Sequence, residues 1–174
     1  MFASRSARLA RTDVAVRELG VPPAAWKTCP WEPREPIELG LRQWLRCAGV
    51  ALVDGKIIGM PSRAVDELWH GLILCTSRYA RFCDDAYGQF LHHRPEGDHI
   101  PGEVRPAARG RRRSVEPAGS MVDQLVRTVA AWELVREPGE ACVLWDLDRV
   151  LGLQDPWGVD EQLVADVVAS VSRT

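Results

Sequence analysis

Residues 61–88 read PSRAVDELWHGLILCTSRYARFCDDAYG, and this stretch decides the fold. At 100° per residue Val65, Leu68, Trp69, Leu72, Ile73, Cys75, Tyr79, Phe82 and Cys83 fall within about half of a helix circumference. Ser62 stands where its hydroxyl can accept hydrogen bonds from the free amides of a first turn, and Gly88 permits a stop. The pattern predicts one central amphipathic helix from residue 63 to about residue 86.

Working outward, residues 4–19 read as a helix that Gly20 and the Pro22-Pro23 pair close, because proline cannot continue the hydrogen-bond ladder. A proline-punctuated loop follows over 28–36. Ile37, Leu41, Trp44 and Leu45 then recur at spacings of three and four, which places them on one stripe of a helix over 37–47. Residues 50–60 hold two short apolar runs around Asp54-Gly55, a dipeptide favoured in tight hairpin turns, and predict a small β-hairpin. Downstream, residues 121–135 return to helical spacing, 141–145 read as a short buried strand, and 160–172 as a last helix with Asp160 near its cap. Residues 96–119 are rich in Arg, Gly and Pro without apolar periodicity and read as a flexible loop. The expected fold is α+β and predominantly helical, a single domain over 1–174.

Composition fits one globular domain. The 174 residues carry 22 basic and 24 acidic side chains, a net charge of −2, and 46% are hydrophobic, which excludes wholesale disorder. The longest nearly apolar stretch, residues 47–53, is far short of the roughly 20 residues that a membrane-spanning helix needs. Cys29, Cys47, Cys75, Cys83 and Cys142 are odd in number and form no C-x-x-C pair, as expected of a reduced, cytoplasmic protein. The Arg- and Ser-rich first residues also match the composition of a transit peptide, but a basic first helix is the simpler reading. All basic residues except Lys27 and Lys56 are arginine, a bias expected of a GC-rich bacterial gene.

The chemistry-bearing residues gather around the central helix. Asp66 and His70 are four apart and therefore neighbours on one helical face. A carboxylate and an imidazole at that spacing can share a metal ion, or the carboxylate can orient the imidazole. His92 and His93, with His99 behind them, follow the helix and can fold back to add ligands, and Cys83 on the helix is a softer contributor. Such an N and O set suits zinc or another divalent metal. The run from Asp66 to His70 also approximates the metalloprotease pattern H-E-x-x-H with aspartate for the first histidine, leaving Glu67 as the base of a hydrolase.

A second candidate is the run Arg105, Arg109, Arg111, Arg112 and Arg113, which suits phosphates or an acidic protein partner. Nucleic acid is disfavoured by the overall acidity and by the lack of an aromatic platform beside the run. Other motifs fail. The glycines between Gly49 and Lys56 are wrongly spaced for a phosphate loop and are followed by Ile57 instead of Ser or Thr. The Asp146 and Asp148 run lacks a third calcium ligand position, and no G-x-S-x-G is present.

The block from Gly59 through Val65-Asp66-Glu67-Leu68-Trp69-His70, Tyr79 and Phe82-Cys83 to Gly88-Gln89-Phe90-Leu91-His92-His93-Arg94-Pro95 resembles the glycine-rich domain-containing protein-like family. Trp44-Leu45 and the run from Leu147 to Gly152 resemble it less distinctively. The resemblance implies that Asp66, Trp69, His70, His92 and His93 form the family's signature, in a family whose members largely lack an assigned activity. Its plant members carry a separate glycine-rich or RNA-binding-like segment that this sequence lacks, so no nucleic-acid role transfers. The expected function is a small cytoplasmic binding or accessory module holding a divalent metal at the Asp/His cluster. The rivals are a metal-dependent hydrolase or oxygenase, in which Glu67 or a histidine of the pair is the base, and an interaction protein that docks an acidic partner or nucleic acid through its arginine-rich loop.

Overall fold

In the computed structural model, which describes residues 4–93 and 119–172, every regular element is helical. Helix α1 (Arg5–Glu18) starts at Ser4, whose hydroxyl accepts the Ala7 amide at 3.2 Å. A 3-10 turn (Pro23–Lys27) leads to α2 (Arg34–Asp54), and α3 (Arg63–Leu74) and α4 (Thr76–Tyr87) follow. Ser120 and Asp123 cap each other's amides at the start of α5 (Met121–Val135). After the short α6 (Leu147–Val150), Asp160 caps α7 (Glu161–Val171) by accepting the Gln162 and Leu163 amides.

Helix α2 is the axle. Ile37, Leu41, Trp44, Leu45 and Ala48 on one side of it are buried with Val65, Leu68 and Leu72 of α3, Tyr79 and Phe82 of α4, and Val16 of α1. On its other side Cys47 and Val50 meet Ala131 and Trp132 of α5. Val129 of α5 packs with Val167 of α7 and with Val159, just ahead of that helix. Burying such side chains contributes about 1.5–3 kcal/mol each, which is why the apolar stripes dictate where the helices lie.

The β part of the expected fold is wrong: among the described residues there is no strand and no hairpin. Helix α2 continues through Asp54, and Gly55 takes the left-handed conformation (φ 71°, ψ 27°) as its C-cap. Asp-Gly serves a helix end as well as a hairpin turn, because both ask for positive φ at glycine. Residues 57–60 then run on without a strand partner. The Gly59 amide instead donates to Gln124 C=O at 3.1 Å and to the Thr128 hydroxyl at 3.0 Å, and its carbonyl accepts the Trp44 indole N–H at 2.9 Å.

The expected strand over 141–145 is replaced in a similar way. Buried Gln43 donates from Nε2 to Ala141 C=O at 2.9 Å and accepts the Val143 amide on Oε1 at 3.0 Å. One side-chain amide satisfies the groups that a neighbouring strand would have paired.

The single central helix is also corrected. It breaks at Cys75 (φ −80°, ψ 56°) into α3 and α4. The bend lets α3 pack on the 3-10 turn and α2 while α4 packs on α1. Both halves keep their apolar faces buried.

Candidate metal centre

Helix α3 presents the centre. Its first turn is clamped by Asp148, 1% exposed, which accepts the Ser62 hydroxyl at 2.7 Å and the Arg63, Ala64 and Trp157 amides at 2.8, 3.3 and 2.9 Å. The Ser62 hydroxyl in turn accepts the Val65 amide at 3.3 Å. A carboxylate at a helix N-terminus satisfies free amides and opposes the helix dipole. Asp66 projects from this fixed turn, and His70 lies one turn further on.

His93 arrives from a different part of the chain. After α4 stops at Gly88, residues 89–93 return along α3, and three contacts seat them there. The Trp69 indole N–H donates to the Tyr79 hydroxyl at 3.1 Å, which donates to Leu91 C=O at 2.7 Å. The Trp69 ring lies 5.0 Å from the His93 ring, and Phe90 meets Tyr79 edge-on at 5.2 Å. Behind them Trp44 packs on Trp69 at 4.5 Å.

The result is a three-residue cluster. His70 Nδ1 is 3.3 Å from Asp66 Oδ2, His93 Nε2 is 3.9 Å from Asp66 Oδ1, and the two imidazole rings are 4.4 Å apart. One ligand atom from each of the three lies within 4.8 Å of the others. Asp66 thus stands within ion-pair distance of both imidazoles. Bonds of 2.0–2.2 Å to one ion place adjacent donors about 3.0–3.5 Å apart. The Asp66 and His70 pair already fits, and His93 needs a shift of the order of 1 Å. The side chains are 17%, 39% and 26% exposed for Asp66, His70 and His93, so the centre has a dry wall and an open side.

Burial shapes the charges here. It raises the Asp66 carboxyl above its usual range, although His70 works against this. It lowers the His93 imidazole, with the charge of His70 acting in the same direction, so His93 is held in the neutral form that a metal binds.

The structure brings together Asp66, His70 and His93 and leaves out three other candidates. His92 is exposed and stacks near Phe90 at 4.8 Å. Glu67 lies about 100° round the helix from Asp66, on the side where its carboxylate acts on the Cys29 thiol. Cys83 is buried, which pushes its thiol up although the Leu91 backbone opposes this. Trp69 is a wall of the centre. His99, Arg105, Arg109, Arg111, Arg112 and Arg113 lie outside the described residues, as does nearly all of the expected loop over 96–119. Tyr79 was legible only as one more residue of an apolar stripe; its hydroxyl carries no sequence signal of the bond it makes.

All five cysteines are free thiols. Burial pushes Cys142 up to about 12 and Cys47 well above the usual thiol range, so neither is a nucleophile. A cleft of about 890 Å³ between α1 and α4, walled by Val14, Leu19, Arg78 and Phe82, contains none of the three clustered residues. No helix among the described residues is long and apolar enough to cross a membrane.

A family model described as UCP032817-like matches residues 27–120, slightly more than half of the chain. No curated protein and no solved structure matches.

Proposed function

Since the chain belongs to the UCP032817-like family and the matched span holds the whole cluster, we propose that it is a small binding or accessory module that holds one divalent transition metal at Asp66, His70 and His93. The observation that carries the reading is the convergence of one carboxylate and two imidazoles from two separate segments, with one ligand atom of each within 4.8 Å of the others. One carboxylate facing one imidazole is an ordinary i,i+4 pair, whereas a second imidazole brought to the same carboxylate from a separate segment completes a set of three metal-type ligands.

Two nitrogens and one oxygen suit zinc or another first-row divalent ion, and three protein ligands leave a position for water or a substrate atom. A bound ion would supply Lewis-acid polarisation and a lowered water pKa, the chemistry that a hydrolase or oxygenase on this site would use. The hydrolase version also needs a base; Glu67 lies away from the cluster, which leaves a histidine of the pair His92 and His93 for that role, and His93 is already counted among the ligands. The binding role asks for no further group and is the reading we favour. The likeness of residues 59–95 to the glycine-rich domain-containing protein-like family implies a signature of Asp66, Trp69, His70, His92 and His93, which includes all three ligands, and five free thiols suit a cytoplasmic location.

Added zinc tests the proposal. At about 100 times the dissociation constant, binding to the folded state alone adds about 2.7 kcal/mol. For a chain of this size that raises the melting temperature by roughly 5–10 °C. His70→Ala and His93→Ala are expected to melt without this rise. An unmoved parent, or an equal rise in both variants, overturns the assignment.

A further inference from the structure

We propose that Tyr79 is the positioning residue of this centre: its hydroxyl, held between the Trp69 indole and Leu91 C=O, sets the register of residues 91–93 and so selects His93 over His92 as the ligand. The inference rests on the metal reading above for its functional meaning and on geometry for its substance.

Residues 91–93 have no regular secondary structure of their own. Along an extended chain successive side chains point to opposite sides, so Leu91 and His93 share a side and His92 takes the other. The burial pattern follows this: Leu91 and His93 are partly buried, whereas His92 is exposed. A slip of one residue would exchange the two histidines. What resists the slip is the grip of α4 on Leu91. Its carbonyl accepts the Tyr79 hydroxyl at 2.7 Å.

Tyr79 is itself fixed. It is fully buried, it accepts the Trp69 N–H at 3.1 Å, and Phe90 packs edge-on against its ring. Trp69 belongs to α3, between Asp66 and His70 in sequence. The Trp69–Tyr79–Leu91 chain of hydrogen bonds thus ties the segment carrying His93 to the helix carrying the other two ligands.

Tyr79→Phe removes the hydroxyl and keeps the ring. Tyr87→Phe is the matched control, because Tyr87 lies on the same helix, is buried, and donates to Leu45 C=O at 2.9 Å away from the centre. Cobalt(II) titration followed by absorbance is expected to show affinity about 10–100-fold weaker in Tyr79→Phe, the usual range for residues that orient ligands. Tyr87→Phe should bind within about twofold of the parent.

A second readout needs no metal. In the metal-free parent, nuclear Overhauser contacts should join the Trp69 ring to the His93 ring and not to that of His92; they should persist in Tyr87→Phe and vanish in Tyr79→Phe. Should Tyr79→Phe not fold, the parent's contacts decide the register alone, and contacts from Trp69 to His92 would overturn it. Equal affinity losses in the two variants, or retained contacts in Tyr79→Phe, overturn the inference. A parent that binds no cobalt defeats the metal reading instead, and the proton contacts then still decide what Tyr79 does.

Discussion

Gly71→Ala is expected to lower the urea midpoint steeply, with a loss of about 3 kcal/mol at the upper end of overpacking costs. A Cβ on Gly71 would lie 1.9 Å from Ala25 C=O and 2.5 Å from the Thr28 hydroxyl. Carbon and oxygen normally approach no closer than about 3.3 Å, so the 3-10 turn would have to retreat by more than about 1 Å. That retreat strains the bonds crossing the same contact, from the Thr28 hydroxyl to Glu67 C=O at 2.6 Å and from the Cys29 thiol to Ala64 C=O at 3.5 Å. Alanine gains about 1 kcal/mol over glycine in a helix, too little to offset this. Gly20→Ala is the control, since nothing lies within 4 Å of its added Cβ. Equal midpoints for the two variants would show that the turn is not pressed against α3 as described.

Asp148→Asn is expected to cost about 3–5 kcal/mol, nearly as much as Asp148→Ala. Both carboxylate oxygens are used twice: Oδ1 by the Ser62 hydroxyl and the Ala64 amide, Oδ2 by the Arg63 and Trp157 amides. Asparagine preserves the shape but turns one oxygen into an NH2 group that would face donors with a donor. Either orientation of the amide leaves two partners unpaired, the buried Ser62 hydroxyl and Ala64 amide in one and the part-buried Arg63 and Trp157 amides in the other. Such a loss is a large share of the roughly 5–15 kcal/mol by which a domain is stable. It also loosens the turn from which Asp66 projects. Urea unfolding of the two variants checks this, and an asparagine variant as stable as the parent would show that the buried site needs shape and not charge.

Much of the fold was legible because helices announce themselves through apolar spacing. Residues 121–135 match α5 at both ends, and 4–19 and 160–172 match α1 and α7 to within a residue or two. The two expected β elements fail for one cause, which is tertiary satisfaction of backbone groups. Asp54-Gly55 is locally ambiguous between a hairpin and a helix cap, and Thr128 and Trp44, distant in sequence, take the Gly59 groups that a hairpin would have paired. Gln43, roughly a hundred residues away, did the same for Ala141 and Val143. The break at Cys75 has no glycine or proline to mark it.

The centre was half legible. The spacing of Asp66 and His70 followed from helix geometry alone, but His92 and His93 are adjacent in sequence, and contacts that the sequence does not announce, from Tyr79 to Leu91 and from the Trp69 ring to His93, tell them apart. Asp148 sat in a run that fails as a calcium loop, and its partners Ser62 and Ala64 lie more than eighty residues away.

Elemental analysis tests the central claim most directly, using untagged protein purified without added metal or chelator beside folded Asp66→Ala and His70→Ala variants. About one equivalent of a divalent transition metal is expected in the parent, the number that a single three-ligand centre holds, and little in either variant. A metal-free parent, or the same metal content in all three proteins, would contradict it.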